Sequence, residues 1–219
     1  EELVTLIDTA GIRRRRTVKS PLDVFAIHRA EKAIARASVA ILLLDAAAGV
    51  TVTDKKIAAL VAEAGKGCVI GVNKWDLIEG ATSSDAFRQW AREQLPFVSY
   101  APLVFLSVLR RNNIGLLMQR ACAVHDAMLQ RVATAALNEC LHASFAHTSP
   151  PLISGKRLKL YYATQVNVAP PRFALFVNDP RRVRVEYAQF LVGRIRATFG
   201  FEGVPIRIDW RPRTHTSAA

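Results

Sequence analysis

This 219-residue chain predicts an α/β fold on a mostly parallel sheet with helices on both faces, followed by a small α+β unit. Two observations carry that expectation. Up to about residue 125, short apolar runs alternate with amphipathic helical stretches, the rhythm of strands joined by crossover helices. From about residue 130 the order becomes helix, strand, strand, helix, strand, and the rhythm is lost.

The elements follow in turn. Leu3–Ile7 reads as a strand. Ser20-Pro21 has the form of an N-cap followed by proline at the first helical position, opening a helix to about Ile34. Val39–Leu44 is a continuous apolar strand of the buried kind. Thr53 is placed as the cap of a helix with Ile57, Leu60, Val61 and Ala64 on one face. Cys68–Val72 is the next strand. Ser84–Leu95 sets Phe87, Trp90 and Ala91 on one face. Leu103–Ser107 is a further strand and Ile114–Val124 a further helix. In the second part a helix covers about Arg131–Phe145, and His147–Pro151 reads as a linker. Strands follow at Arg157–Gln165 and Arg172–Val177, around a turn with Pro170-Pro171. A helix over Val185–Phe199 ends at Gly200 as a C-cap, and Pro205–Trp210 is the last strand. The expected domains are therefore 1–129 and 130–213, with 214–219 as a disordered tail.

Composition narrows the class. Hydrophobic residues make up 51% and charged residues 22%, which is globular rather than disordered. The formal charge is +12 and the pI about 10.3, favouring a polyanionic partner, nucleic acid or an acidic surface. Twelve bases against four acids between Pro150 and Arg213, a net of +8, put most of the excess in the second part. The odd, widely spaced Cys68, Cys122 and Cys140 form neither a disulfide framework nor a metal-type pattern. They fit a reducing, cytoplasmic compartment. Ala37–Leu44, ended by Asp45, is too short to span a membrane. His28, His125, His142, His147 and His215 stand in no catalytic arrangement.

Two tetrapeptides carry chemistry, and each ends a strand-like run. Asp76 of Asn73-Lys74-Trp75-Asp76 can accept two parallel hydrogen bonds. Guanine offers that donor pair on N1 and N2, and adenine does not, so a carboxylate facing adenine would lose its partners. Lys74 can lay its stem over the base. Asn73 can bond the base and tie neighbouring loops together. In Asp8-Thr9-Ala10-Gly11, Asp8 would hold a nucleotide's Mg2+ through water, and the Gly11 N–H would sense a γ-phosphate. Either motif alone is also an ordinary strand-end turn. Ser107-Val108-Leu109 ends the next strand where a base-contacting loop is expected, although Val108 is larger than the usual small residue.

These residues, in this order, resemble the Der/EngA family of bacterial ribosome-assembly GTPases, which carry two tandem GTPase domains and a KH-like domain. Asp8 to Arg14, Asp45, Gly49-Val50-Thr51, Asp54-Lys55-Lys56 and Val72–Leu77 carry the likeness. Leu158–Gln165, Pro170-Pro171, Phe173, Phe176-Val177-Asn178, Arg194-Ile195-Arg196 and Phe199–Arg207 continue it. The resemblance implies a truncated P-loop GTPase domain followed by a KH-like domain. The implied activity is GTP binding and hydrolysis in assembly of the large ribosomal subunit. GTP or GDP and Mg2+ are the implied ligands. Ile12 stands where many GTPases place a glutamine, so no catalytic residue is assigned. Water positioning would come from an activating partner or a monovalent cation such as K+. Arg13–Arg16 could answer a γ-phosphate, touch RNA or simply be solvated.

No Gly-x-x-x-x-Gly-Lys-Ser/Thr occurs in the sequence. A phosphate loop is therefore expected before Glu1, in a missing N-terminal GTPase portion that would be a partner of this chain. Its strand would lie between Leu3–Ile7 and Val39–Leu44, and without it two apolar edges are expected to be exposed. The alternative is a non-catalytic KH-like RNA- or ribosome-binding module with an inert GTPase remnant. Lys156, Arg157, Lys159, Arg172, Arg181 and Arg182 are its candidates for rRNA contact. Gly200-Phe201-Glu202-Gly203 reads as a helix stop and turn rather than a phosphate-gripping loop, and Tyr161, Tyr162 and Phe176 read as core.

Overall fold

The computed structural model describes residues 3–8, 21–153 and 155–213, and the chain divides into two units between His125 and Asp126. Thr9, Ala10, Gly11, Ile12, Arg13–Arg16, the Ser20 cap and the tail 214–219 lie outside the described residues.

In the first unit, α1 (Pro21–Arg36), β1 (Val39–Asp45), α2 (Val52–Glu63), β2 (Gly67–Asn73), α3 (Ser84–Gln94), β3 (Leu103–Phe105) and α4 (Ile114–Leu129) alternate along the chain. The strands form one parallel sheet in the order β1-β2-β3. Period-two alternation divides the apolar side chains between its faces. Leu42 and Leu44 of β1 and Cys68, Ile70 and Val72 of β2 join a core with Ala58 and Val61 of α2, and Phe87 and Ala91 of α3. On the opposite face Gly71 makes room for α4. A Cβ there would meet Leu43 Cδ2 at 2.7 Å and Leu117 Cδ1 at 3.4 Å. Both faces of the sheet thus carry helices.

Two expectations are corrected here. Leu3–Ile7 is not a strand: residues 3–8 have no regular structure, with Leu3 100% and Leu6 72% exposed. A strand is held by its ladder, and this segment pairs with no described strand, leaving β1 at the edge of the sheet. The cap of α2 is Thr51, not Thr53. Thr51 Oγ1 accepts from the Asp54 N–H at 3.2 Å, and Asp54 Oδ2 accepts from the Thr51 N–H at 2.8 Å. This reciprocal capping box satisfies two otherwise orphaned donors, which Thr53 inside the first turn could not do.

Burial pushes the Cys68 thiol up to about 12. Folding therefore favours its protonated form, a contribution complete below the unfolded thiol's pKa and lost as pH rises from there towards 12. At pH 8 Cys68 is expected to resist iodoacetamide in the native chain and to react in urea. Peptide mapping of the alkylated sites checks this, and native labelling of Cys68 would contradict its burial.

The second unit runs α5 (Thr134–His147), β4 (Leu160–Asn167), β5 (Arg172–Val177), α6 (Val185–Phe199) and β6 (Arg207–Pro212), the predicted α-β-β-α-β order. β4 and β5 pair antiparallel, and α6 is the crossover that lets β6 lie parallel to β5. Phe173, Leu175 and Val177 are fully buried, and Phe173 meets the Phe201 ring edge-on at 6.0 Å. Asn138 of α5 closes part of the outer edge of β4. Its Nδ2 donates to Ala163 O at 2.7 Å and its Oδ1 accepts from Ala163 N–H at 2.8 Å. Gln165, 4% exposed, holds the segment before α5: Oε1 accepts from Val132 N–H at 2.7 Å and Nε2 donates to Gln130 O at 3.1 Å.

Gly200 caps α6 at φ 74°. The following turn is structural, as its two glycines and acidic residue predict. The Arg196 guanidinium donates to the carbonyls of Phe201 and Val204. Tyr161 and Tyr162 are not core. A register irregularity between Leu160 and Tyr162 interrupts the alternation, so both rings face out, 41% and 45% exposed. Phe176 is half-buried.

Candidate functional site

Parallel strands gather their carboxyl ends on one side of a sheet, the usual place for a ligand in an α/β fold. Asp45 and Asn73 end β1 and β2 as register partners, and β3 ends beside them. The loops leaving these strands hold the predicted residues Asn73, Lys74, Asp76, Ser107 and Val108.

Asn73 is the tie between loops. Its Oδ1 accepts from the Lys74 N–H at 2.8 Å and from the Val108 N–H at 3.0 Å. The Val108 N–H is thus engaged by Asn73 rather than open towards a base oxygen. Lys74 sits in the left-handed region at φ 61°, an uncommon conformation that turns the chain sharply after β2. Its ammonium lies 2.9 Å from Asp45 Oδ2, while Asp45 Oδ1 accepts from the N–H groups of Ala47 and Ala48. Trp75 anchors the turn. Its N–H donates to Leu106 O at 3.1 Å, and its ring packs 4.3 Å from Phe105 and 5.6 Å from Phe87. With Trp75 buried, Lys74 keeps its side chain on the outer side.

The Asp76 side chain is only 9% exposed, and Arg110 Nε lies 3.5 Å from its Oδ2. Arg110 had no signal in the sequence. The structure singles it out because a guanidinium presents donors to a carboxylate much as the N1/N2 edge of guanine does. Its loop is preset: Ser107 Oγ accepts from the Arg110 N–H at 3.2 Å, Asn113 Nδ2 donates to Phe105 O at 2.8 Å, and Arg111 and Asn113 both have positive φ. Buried Ser107 thus braces the loop. Asp8 is exposed, and no hydrogen bond or ion pair joins it to the Asn73–Asp76 turn among the described residues.

The predicted RNA contacts separate into two kinds. Lys156, Arg157 and Lys159 are exposed, held in place by Asn178, which bonds the backbone of Arg157 and Lys159. Arg181 and Arg182 both serve Asp179, at 3.0 and 3.1 Å. Arg182 also donates to Ile153 O and is only 16% exposed, so it is committed to its own fold. The Arg181 hydrogen bond, aided by Arg182, holds the Asp179 carboxyl down at about 2. Arg172 is half-exposed beside Asp209 at 3.6 Å.

Residues 131–211 match the KH-domain-like C-terminal domain of EngA bacterial GTPase enzymes. GTPase Der of Moorella thermoacetica is 42% identical over 94% of this chain, and GTPase Der of Thermomicrobium roseum is 42% identical over 99%.

The chain is similar to GTPase Der over nearly all of its length.

It spans about half the length of the curated relatives it matches, 47% and 48% of these two. Among solved structures, Era in complex with MgGDPNP and a segment of 16S ribosomal RNA is 13% identical to this chain. The TM-score is 0.45, and the overlay covers 94% of this chain and 74% of Era. At that TM-score the likeness bears on neither site nor partner. No helix among the described residues is long and apolar enough to cross a membrane.

Proposed function

We propose that the first unit supplies the base-recognition side of a guanine-nucleotide site. The second unit would supply an RNA-contacting module, within a GTP-hydrolysing protein that acts in the cytoplasm on the assembling large ribosomal subunit. The observation that carries this is Asp76: a nearly buried carboxylate at the carboxyl end of a parallel sheet, with the Arg110 Nε 3.5 Å from its Oδ2, beside a loop tie made by Asn73. Asn73, Lys74 and Asp76 fit a guanine base.

Asp8, an exposed carboxylate, would hold Mg2+ through water, because a nucleotide's Mg2+ takes most of its ligands from phosphate and water rather than from a protein cluster. In this reading Asp8 with Thr9, Ala10 and Gly11 contributes to the phosphate side. Ile12 leaves the attacking water to an activating partner or a monovalent cation such as K+. The Lys that neutralises phosphate charge in such sites has no counterpart in this sequence. A second reading, for the chain by itself, is a non-catalytic KH-like RNA- or ribosome-binding module with an inert GTPase remnant.

Titration of the chain with fluorescent GDP, competed with GDP, GTP and ADP, tests the first reading. Displacement by the guanine nucleotides and not by ADP is expected. Equal displacement by ADP would overturn it.

A further inference from the structure

The outward face of the second sheet carries a row of side chains that the nucleotide site does not use. Register places Tyr162 beside Phe176 and Phe176 beside Arg211, one residue from each strand. The Tyr162 and Phe176 rings lie 6.0 Å apart, tilted by 40°. The displaced alternation at the start of β4 adds Tyr161, and the Arg213 guanidinium lies 4.9 Å over its ring. Arg213 is held there because its N–H donates to Val177 O at 3.0 Å, prolonging the β5–β6 ladder. In the next rows Asp209 orients two guanidiniums, Arg172 at 3.6 Å and Arg211 at 4.0 Å, each about half-exposed. The opposite face is the core of Phe173, Leu175 and Val177, so the two faces share no side chains.

We infer that this face binds single-stranded RNA, stacking bases on Tyr161 and Tyr162 and holding phosphates with Arg172, Arg211 and Arg213. The chemistry is that of a stacking platform set in a cationic field. The register irregularity leaves two adjacent aromatic rings exposed among guanidinium groups. Three arginines against the single Asp209 leave the face cationic. A protein-binding core, by contrast, is depleted of charge. The proposal rests on reading the second unit as an RNA-contacting module only in choosing RNA. It moves the contact from the loop of Lys156, Arg157 and Lys159 to the sheet.

Fluorescence anisotropy of the full chain with a labelled 12-nucleotide single-stranded RNA, repeated at several salt concentrations, is the test. Double replacement of Tyr161 and Tyr162 by Ala is expected to weaken binding by about tenfold or more, and replacement of both by Phe to preserve it. Arg211→Gln is expected to lower the log–log salt slope by about 0.7. Unchanged circular dichroism spectra confirm that the variants fold. If the alanine variant binds normally while replacing Lys156, Arg157 and Lys159 by Gln abolishes binding, the RNA module stands and the sheet face is overturned. If the wild type ignores RNA at low salt, both are overturned. Tyrosine-dependent self-association without RNA binding would make the face a protein interface and likewise overturn the proposal.

Discussion

Asp76→Ala is expected to erase the preference for guanine over adenine. A carboxylate with little access to water loses its hydration on folding, so it discriminates strongly between a base that restores two hydrogen bonds and one that restores none. Two charge-assisted bonds of this kind correspond to about a hundredfold in affinity or more. GDP affinity should fall by that factor and ADP affinity should stay constant, as read by competition titration. Arg110→Ala is the control of opposite sign. It removes the donor now facing Asp76 and should tighten GDP binding modestly, since Arg110 is 66% exposed and its pairing is screened by solvent. Unchanged selectivity in Asp76→Ala would remove the base-recognition role of the Asn73–Asp76 turn.

The second large effect concerns stability. Phe173→Ala in β5 should destabilise the second unit by about 3–5 kcal/mol. Phe173 is fully buried, central in its sheet and packed against Phe201. Its neighbours are two strands and the turn after α6, which limits how far the cavity can collapse. Urea unfolding followed by circular dichroism measures the loss. A change below about 1 kcal/mol would mean that the turn at Phe201 moves in to fill the space. The tyrosines of the outward face, replaced in the same assay, should cost much less, because water already reaches them.

Much of this was legible along the chain. β1 and β2 ended where apolar runs met polar turns, because a buried parallel strand has no polar face to blur its limits, whereas β3 stopped at Phe105, two residues before the expected Ser107. Val185–Phe199 and its Gly200 stop were readable because helix periodicity and a glycine cap are local properties. The Asn73–Asp76 turn was readable for the same reason: four adjacent residues carry the whole donor and acceptor pattern. The cap of α2 was misplaced by two residues, since Thr51 and Thr53 are equally good caps until the partner of Asp54 is known. Leu3–Ile7 looked like any other strand, yet a strand exists only through a hydrogen-bonded neighbour that its own residues do not specify.

Local pattern, then, determined the element order, the chemical type of the Asn73–Asp76 turn and the cationic bias of the second unit, because each is written in contiguous residues. Only the tertiary structure decided that Arg110 faces Asp76, that Asn73 joins two loops, that Arg182 and Arg196 serve the fold, and that Tyr161 and Tyr162 look outward. Those facts depend on strand register and on residues brought together from separate loops. A one-residue irregularity in a ladder reverses which face a side chain joins, and no composition or spacing records it.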